Sequence, residues 1–87
     1  MTPKLFHLPG CPFCVKVRRE AQRLGLALEL VDISQVPAAR QLLLQERGRA
    51  TVPVLVTEQD GVPSLLGESE DIVRYLREHA DHLPRVA

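Results

Sequence analysis

Hydrophobic and polar positions alternate along the chain in short blocks, most of them closed by a proline or a glycine. Residues 4–8 are a mainly apolar run that stops at Pro9-Gly10, which predicts a strand followed by a loop. In residues 12–24 the apolar period becomes helical, and Pro12 suits the first turn because its missing N–H has no partner there. The apolar stripe of this predicted helix consists of Cys14, Val17, Ala21 and Leu24.

The following blocks predict a second strand, a second helix and a hairpin. Residues 28–33 alternate loosely and predict the strand, whereas residues 37–47 begin with a proline and precede a glycine, as helices often do. Residues 53–57 and 62–66 predict two further strands, which the turn dipeptide Asp60-Gly61 joins.

A third helix is predicted to begin with Ser69 as its N-cap and to end before Pro84. Glu70 and Asp71 follow the cap, where their charge complements the helix dipole. The predicted order is therefore βαβαββα, with the first two strands parallel and the last two antiparallel. This is an α/β fold in which a four-stranded mixed sheet is flanked by three helices. The chain has neither repeats nor a linker, so we expect a single domain over residues 1–87.

Composition argues against several classes of function. Eleven basic and eleven acidic side chains cancel, which disfavours electrostatic capture of nucleic acid or of an anionic membrane. No apolar run approaches the roughly 18 residues of a membrane span, and the N-terminus lacks the form of a secretory signal. Two cysteines are too few for a disulfide scaffold. We therefore expect a cytoplasmic protein.

Both cysteines lie in the motif Cys11-Pro12-Phe13-Cys14, where a loop leads into the first predicted helix. A helix N-terminus stabilises a thiolate, and residues 1–25 add five basic side chains against one acidic one. Such surroundings commonly lower a thiol pKa to roughly 3.5–7.5. Cys11 is expected at the exposed helix tip and Cys14 at the head of the buried stripe, so Cys11 is predicted to attack and Cys14 to resolve. No metal is expected, because structural zinc needs four ligands.

Three motifs, in this order and spacing, resemble those of a glutaredoxin of the thioredoxin-fold superfamily. They are Cys11-Pro12-Phe13-Cys14, Thr51-Val52-Pro53 and the stretch Gly67-Glu68-Ser69-Glu70-Asp71-Ile72. The resemblance implies the thioredoxin/glutaredoxin fold with a cis bond before Pro53. It also implies a monomeric dithiol oxidoreductase that reduces protein disulfides and glutathione mixed disulfides. Glutathione would be its co-substrate, and Cys11 and Cys14 would form a redox-active disulfide.

The resemblance further implies a glutathione site, made of Phe13, Arg40, Thr51, Val52, Pro53, Ser69 and Glu70. The backbone of Val52 would pair with the cysteinyl part of glutathione, as an added strand does. Ser69 and Glu70 would hold the γ-glutamyl carboxylate at a helix N-terminus, and Arg40 the glycine carboxylate. Ser69 as a simple cap and Arg40 as a solvated charge remain open alternatives.

Two departures from the glutaredoxin pattern leave other functions open. Leu8 stands where many glutaredoxins have a lysine that contacts glutathione, which favours a related electron donor that thioredoxin reductase reduces. Gly67-Glu68-Ser69 is similar to the same turn in the N-terminal domain of glutathione transferases. A third alternative is a module that binds glutathione and a [2Fe–2S] cluster through Cys11, although Pro12 argues against it.

Overall fold

The protein folds into seven elements in the order that the sequence predicts, as a computed structural model describes for residues 2–86. Met1 and Ala87, the two ends of the predicted domain, lie outside the described residues. The strands are β1 (Lys4–His7), β2 (Glu29–Asp32), β3 (Val54–Gln59) and β4 (Val62–Gly67), and the helices are α1 (Pro12–Arg23), α2 (Pro37–Arg47) and α3 (Ser69–Glu78). Most boundaries fall within two residues of the predicted ones.

The four strands form one mixed sheet in the order β2-β1-β3-β4. Strand β1 runs parallel to β2 and antiparallel to β3, and β3 pairs antiparallel with β4. These observations confirm the predicted α/β architecture. Among residues 2–86 no helix has both the length and the apolar character needed to cross a membrane.

The sheet separates two hydrophobic clusters because neighbouring strand residues face opposite sides. Leu5 and Leu55 pack on one side with the buried faces of α1 and α3. Phe6 and Val54 pack on the other side with α2, whose Leu43 is fully buried. Helices α1 and α3 therefore share one face of the sheet, and the N-termini of both flank the site described below.

Positive φ angles occur where the sequence predicts turns. Asp60 and Gly61 have φ angles of 56° and 79°, the pair of left-handed residues that a tight two-residue hairpin requires. Gly48 ends α2 with a φ of 75°, as glycine commonly does after a helix.

Two details of α3 differ from prediction. Glu68, and not Ser69, is the N-cap: it has a φ of 63° and makes no capping hydrogen bond through its side chain. The helix ends at Glu78, well before Pro84, because the tail turns back and pairs with the chain after α1 at Leu26. Ala80 and Leu83 of the tail still pack on the core, and this is why the helical pattern of apolar residues extends beyond the end of the helix.

Candidate functional site

The two cysteines lie at the start of α1, where β1 leads into the helix through a short loop. The N–H of Cys11 donates to the carbonyl oxygen of Leu8 at 3.0 Å, which closes this loop. Cys11 then occupies the N-cap position and Pro12 the first helical position. Cys14 points into the core with no exposed surface, whereas Cys11 is partly exposed. Both cysteines are free thiols.

Several groups act on the Cys11 thiol. Burial alone raises its pKa, but the N–H and thiol of Cys14, the N–H of Phe13 and the charge of Arg18 together outweigh it, so that the pKa is lowered. The two backbone N–H donors are free groups of a helix N-terminus. Cys11 therefore ionises more readily than an ordinary cysteine.

The environment of Cys14 has the opposite effect. Burial raises the pKa of this thiol to about 11, and the neighbouring Cys11 adds to the shift. Cys14 thus remains protonated when Cys11 has ionised. The arrangement places a readily ionised thiol, Cys11, at the surface and a protonated thiol, Cys14, in the core behind it.

A groove of about 260 Å³ opens beside Phe13, the residue just before Cys14, and neither cysteine is among its lining residues. The residues that line it are Phe13, Arg47, Arg49, Thr51, Val52, Pro53, Glu68 and Ser69. The bond between Val52 and Pro53 is cis, as the resemblance implied. Phe13 is 61% exposed and forms the wall nearest the cysteines. The groove therefore connects the reactive helix tip with the N-terminus of α3.

The structure brings together most, though not all, of the residues that are predicted from the sequence to form a glutathione site. Five of them line the groove: Phe13, Thr51, Val52, Pro53 and Ser69. Glu70 is exposed beside it and lies 4.0 Å from the ammonium group of Lys16. Arg40 is exposed on α2 and is not among the lining residues.

Two arginines that the sequence analysis did not single out contribute to the groove. Arg47 ends α2 and lies against Gly67, and its Nε is buried without a hydrogen-bond partner among residues 2–86. Arg49 lies in the following loop, 3.8 Å from the carboxylate of Glu68. The basic segment Arg47-Gly48-Arg49, just before Thr51-Val52-Pro53, is the sequence feature from which a role for these two arginines could be predicted. The groove therefore has cationic as well as hydrogen-bonding groups, which suits an anionic ligand.

Metal ligands are not gathered at this site. Within residues 2–86, no group of three or more His, Cys, Asp or Glu side chains comes close enough to hold a metal ion.

The fold and this groove define a thioredoxin-fold domain, and comparison with known proteins narrows the class. A family model described as the glutathione S-transferase N-terminal domain matches residues 5–84. The chain therefore belongs to this family. No curated protein sequence matches it significantly.

Solved structures place the chain among glutathione-related proteins. A glutathione transferase from Bombyx mori is 28% identical with a TM-score of 0.70, and the match covers 90% of this chain and 36% of that one. A maleylacetoacetate isomerase from Anaeromyxobacter dehalogenans 2CP-1, solved with glutathione in its active site, is 30% identical with a TM-score of 0.65, covering 95% and 39%. The chain thus spans less than half the length of either enzyme.

A structure of similar length also matches. A thioredoxin-like protein, solved as a point mutant, is 27% identical with a TM-score of 0.64, and the match covers 86% of this chain and 99% of that one. Within this superfamily, the finer assignment to glutaredoxins stays a prediction.

Proposed function

We propose that this chain is a glutathione-dependent thiol–disulfide oxidoreductase of the glutaredoxin type. The observation that carries the proposal is the contrast between its two cysteines. The pKa of the partly exposed Cys11 is lowered, while burial raises that of Cys14 to about 11. A dithiol oxidoreductase needs this pairing, because the attacking sulfur must be ionised and the resolving sulfur held back until a mixed disulfide forms.

Glutathione would occupy the groove in an extended form. The backbone of Val52, which lines the groove just before β3, would pair with its cysteinyl portion as an added strand does. Ser69 and the N-terminus of α3 suit one carboxylate. The guanidinium groups of Arg47 and Arg49 also suit a carboxylate of glutathione, because an arginine pairs with a carboxylate through charged N–H donors.

The reaction begins when the Cys11 thiolate attacks the glutathione sulfur of a mixed disulfide. A bond forms between Cys11 and glutathione, the original disulfide breaks, and the substrate leaves as a thiolate that takes a proton from water. A second glutathione thiolate then attacks the sulfur attached to Cys11. Oxidised glutathione leaves and the Cys11 thiolate is restored, so the mixed disulfide and one glutathione thiol yield the substrate thiol and oxidised glutathione.

Protein disulfides would follow a second route through Cys14. Cys11 first forms a mixed disulfide with the protein, and the Cys14 thiol, after losing its proton, displaces the reduced protein and forms a Cys11–Cys14 disulfide. Two molecules of glutathione then reduce this internal disulfide to two thiols and leave as oxidised glutathione. The partners of the chain would accordingly be glutathionylated and disulfide-bonded proteins.

Turnover of a glutathione mixed disulfide, coupled to glutathione reductase and NADPH, tests the proposal. We expect activity in the wild type and in Cys14→Ser, and none in Cys11→Ser. Equal activity in the two variants would overturn the assigned roles. If wild type is folded but inactive, substitution of thioredoxin reductase as the electron donor shows whether the departure at Leu8 has changed the reductant.

Membership of the transferase family supports a second candidate. For this function the same groove binds glutathione, whose thiolate forms a bond to carbon of an electrophile and displaces its leaving group instead of entering disulfide exchange. Conjugation of glutathione to 1-chloro-2,4-dinitrobenzene distinguishes the two functions. Conjugation that persists in Cys14→Ser, without mixed-disulfide turnover in any variant, would favour the transferase function.

A further inference from the structure

The guanidinium group of Arg18 lies behind the loop that leads to Cys11 and takes no part in the reaction steps proposed above. Arg18, on α1, places Nη1 2.8 Å from Nδ1 of His7, the last residue of β1. Its Nη2 donates to the carbonyl oxygen of Pro9 at 3.3 Å. One side chain therefore joins the end of β1, the loop and the helix that begins at Cys11.

The contact with Arg18 determines the protonation state of His7. A guanidinium has only donors and remains charged, so the Nδ1 that faces it must be unprotonated and must accept. The His7 ring is 6% exposed. Burial, followed by the charge of Arg18, lowers its pKa, against an opposing effect of Asp32 on the adjacent strand β2. His7 is thus a neutral acceptor that anchors the guanidinium.

The position of Arg18 also affects the sulfur atoms. Its charge favours the thiolate form of Cys11. It also favours the thiolate form of Cys14, but there the opposing effect of burial is larger. We propose that Arg18 is a positioning residue which, anchored on neutral His7, holds the Pro9 carbonyl and so sets Cys11 at the N-terminus of α1 with a positive charge behind it. This inference rests on the proposed function in taking Cys11 as the reacting thiol.

Alkylation of Cys11 by iodoacetamide as a function of pH tests the proposal in a Cys14→Ser background. Arg18→Gln should raise the midpoint of the alkylation rate by at most about one pH unit, because the charge of Arg18 is the smallest of the effects that lower the pKa of Cys11. Arg19→Gln removes the same charge from the exposed neighbouring position and should leave the midpoint unchanged. Arg18→Lys keeps the charge but not the planar fork, so it should restore only part of the shift.

Variants of His7 separate positioning from charge alone. His7→Gln still offers an acceptor to Arg18 and should keep the wild-type midpoint, whereas His7→Phe offers none and should raise it. A midpoint in Arg18→Gln equal to that of Arg19→Gln would overturn the proposal. Full restoration by Arg18→Lys together with no effect of His7→Phe would also overturn it, because charge alone would then suffice.

Two features of the alkylation experiment separate the positioning role of Arg18 from misfolding and from the glutathione chemistry. Circular dichroism establishes that each variant is folded, and if Arg18→Gln is not, Arg18→Lys and His7→Phe still decide the question. The alkylation assay contains no glutathione. Failure of the proposed glutathione chemistry would therefore leave the midpoint shifts in place, and failure of the positioning role would leave mixed-disulfide turnover in the wild type.

Discussion

Replacing Gly67 with alanine should displace the guanidinium group of Arg47 from its position in the groove without altering either cysteine. A Cβ at Gly67 would lie 2.7 Å from Cζ and 3.0 Å from Nη1 of Arg47, and closer still to Nη2. Ordinary carbon contacts lie near 3.5–4.0 Å, so the guanidinium must retreat by roughly 1 Å. It is the far end of a flexible side chain and can do so.

The same substitution should have little effect on folding. Gly67 does not adopt a left-handed φ, so alanine fits the backbone and gains about 0.4–1 kcal/mol by restricting the unfolded chain. Among the described residues 2–86, Arg47 has no hydrogen bond at Nε to lose. We therefore expect the free energy of unfolding of Gly67→Ala to stay within about 1 kcal/mol of wild type.

The effect on glutathione binding should be larger. A hydrogen bond to a charged group contributes about 1.5–3 kcal/mol, and the lower end applies because the groove is open. Since about 1.4 kcal/mol corresponds to tenfold in affinity, the KM for glutathione should rise roughly tenfold with kcat little changed. Arg47→Gln should do the same, and the double variant should be no worse than either single one.

Steady-state reduction of a mixed disulfide at varied glutathione concentration measures this effect, and urea unfolding measures stability. Arg19→Gln is the matched control for loss of a positive charge. If Gly67→Ala and Arg47→Gln are folded and keep the wild-type KM, then Arg47 does not bind a glutathione carboxylate. Arg49, the other arginine that lines the groove, would then be the next to test.

Three further predictions address the thiols, the helix pairing and the core. Cys14→Ser should retain deglutathionylation but lose the reduction of protein disulfides, as measured with insulin. Hydrogen bonds from Arg23 and Arg77 hold the pKa of Glu20 at about 2, below its usual 4.5. Because the folded pKa is depressed, this stabilisation is complete above pH 4.5 and is lost as the pH falls toward 2. Glu20→Gln should therefore be less stable than wild type at neutral pH. Urea unfolding should show that the difference in the free energy of unfolding between the two proteins shrinks between pH 4.5 and 2. Leu43→Ala should lower the free energy of unfolding by about 2–5 kcal/mol because Leu43 is fully buried.

Local chemistry explains why the fold was predictable. Prolines and glycines separate the elements, and each strand or helix carries its own apolar period. The turn at Asp60-Gly61 is determined by two neighbouring residues that tolerate positive φ. The different environments of Cys11 and Cys14 also follow from helical periodicity, because one lies at the N-cap and the other lies on the buried face.

Features that depend on distant residues could not be predicted in the same way. Arg47 reaches the groove because Gly67, twenty positions later, leaves room for its guanidinium. The pairing of His7 with Arg18 depends on how α1 crosses the sheet. The end of α3 depends on the tail, which returns to pair with Leu26. No local pattern encodes such contacts, since each requires the assembled sheet.

The most direct test of the central claim is to find where glutathione becomes attached. Purified wild type, Cys11→Ser and Cys14→Ser are incubated with oxidised glutathione, and intact and peptide mass spectrometry locate the adduct. We predict one glutathione on Cys11 in the Cys14→Ser variant and no adduct in the Cys11→Ser variant at neutral pH, because Cys14 is fully buried and burial alone raises the pKa of its thiol. Attachment to Cys14 in Cys11→Ser at a comparable rate, or no adduct in any folded variant, would contradict the account.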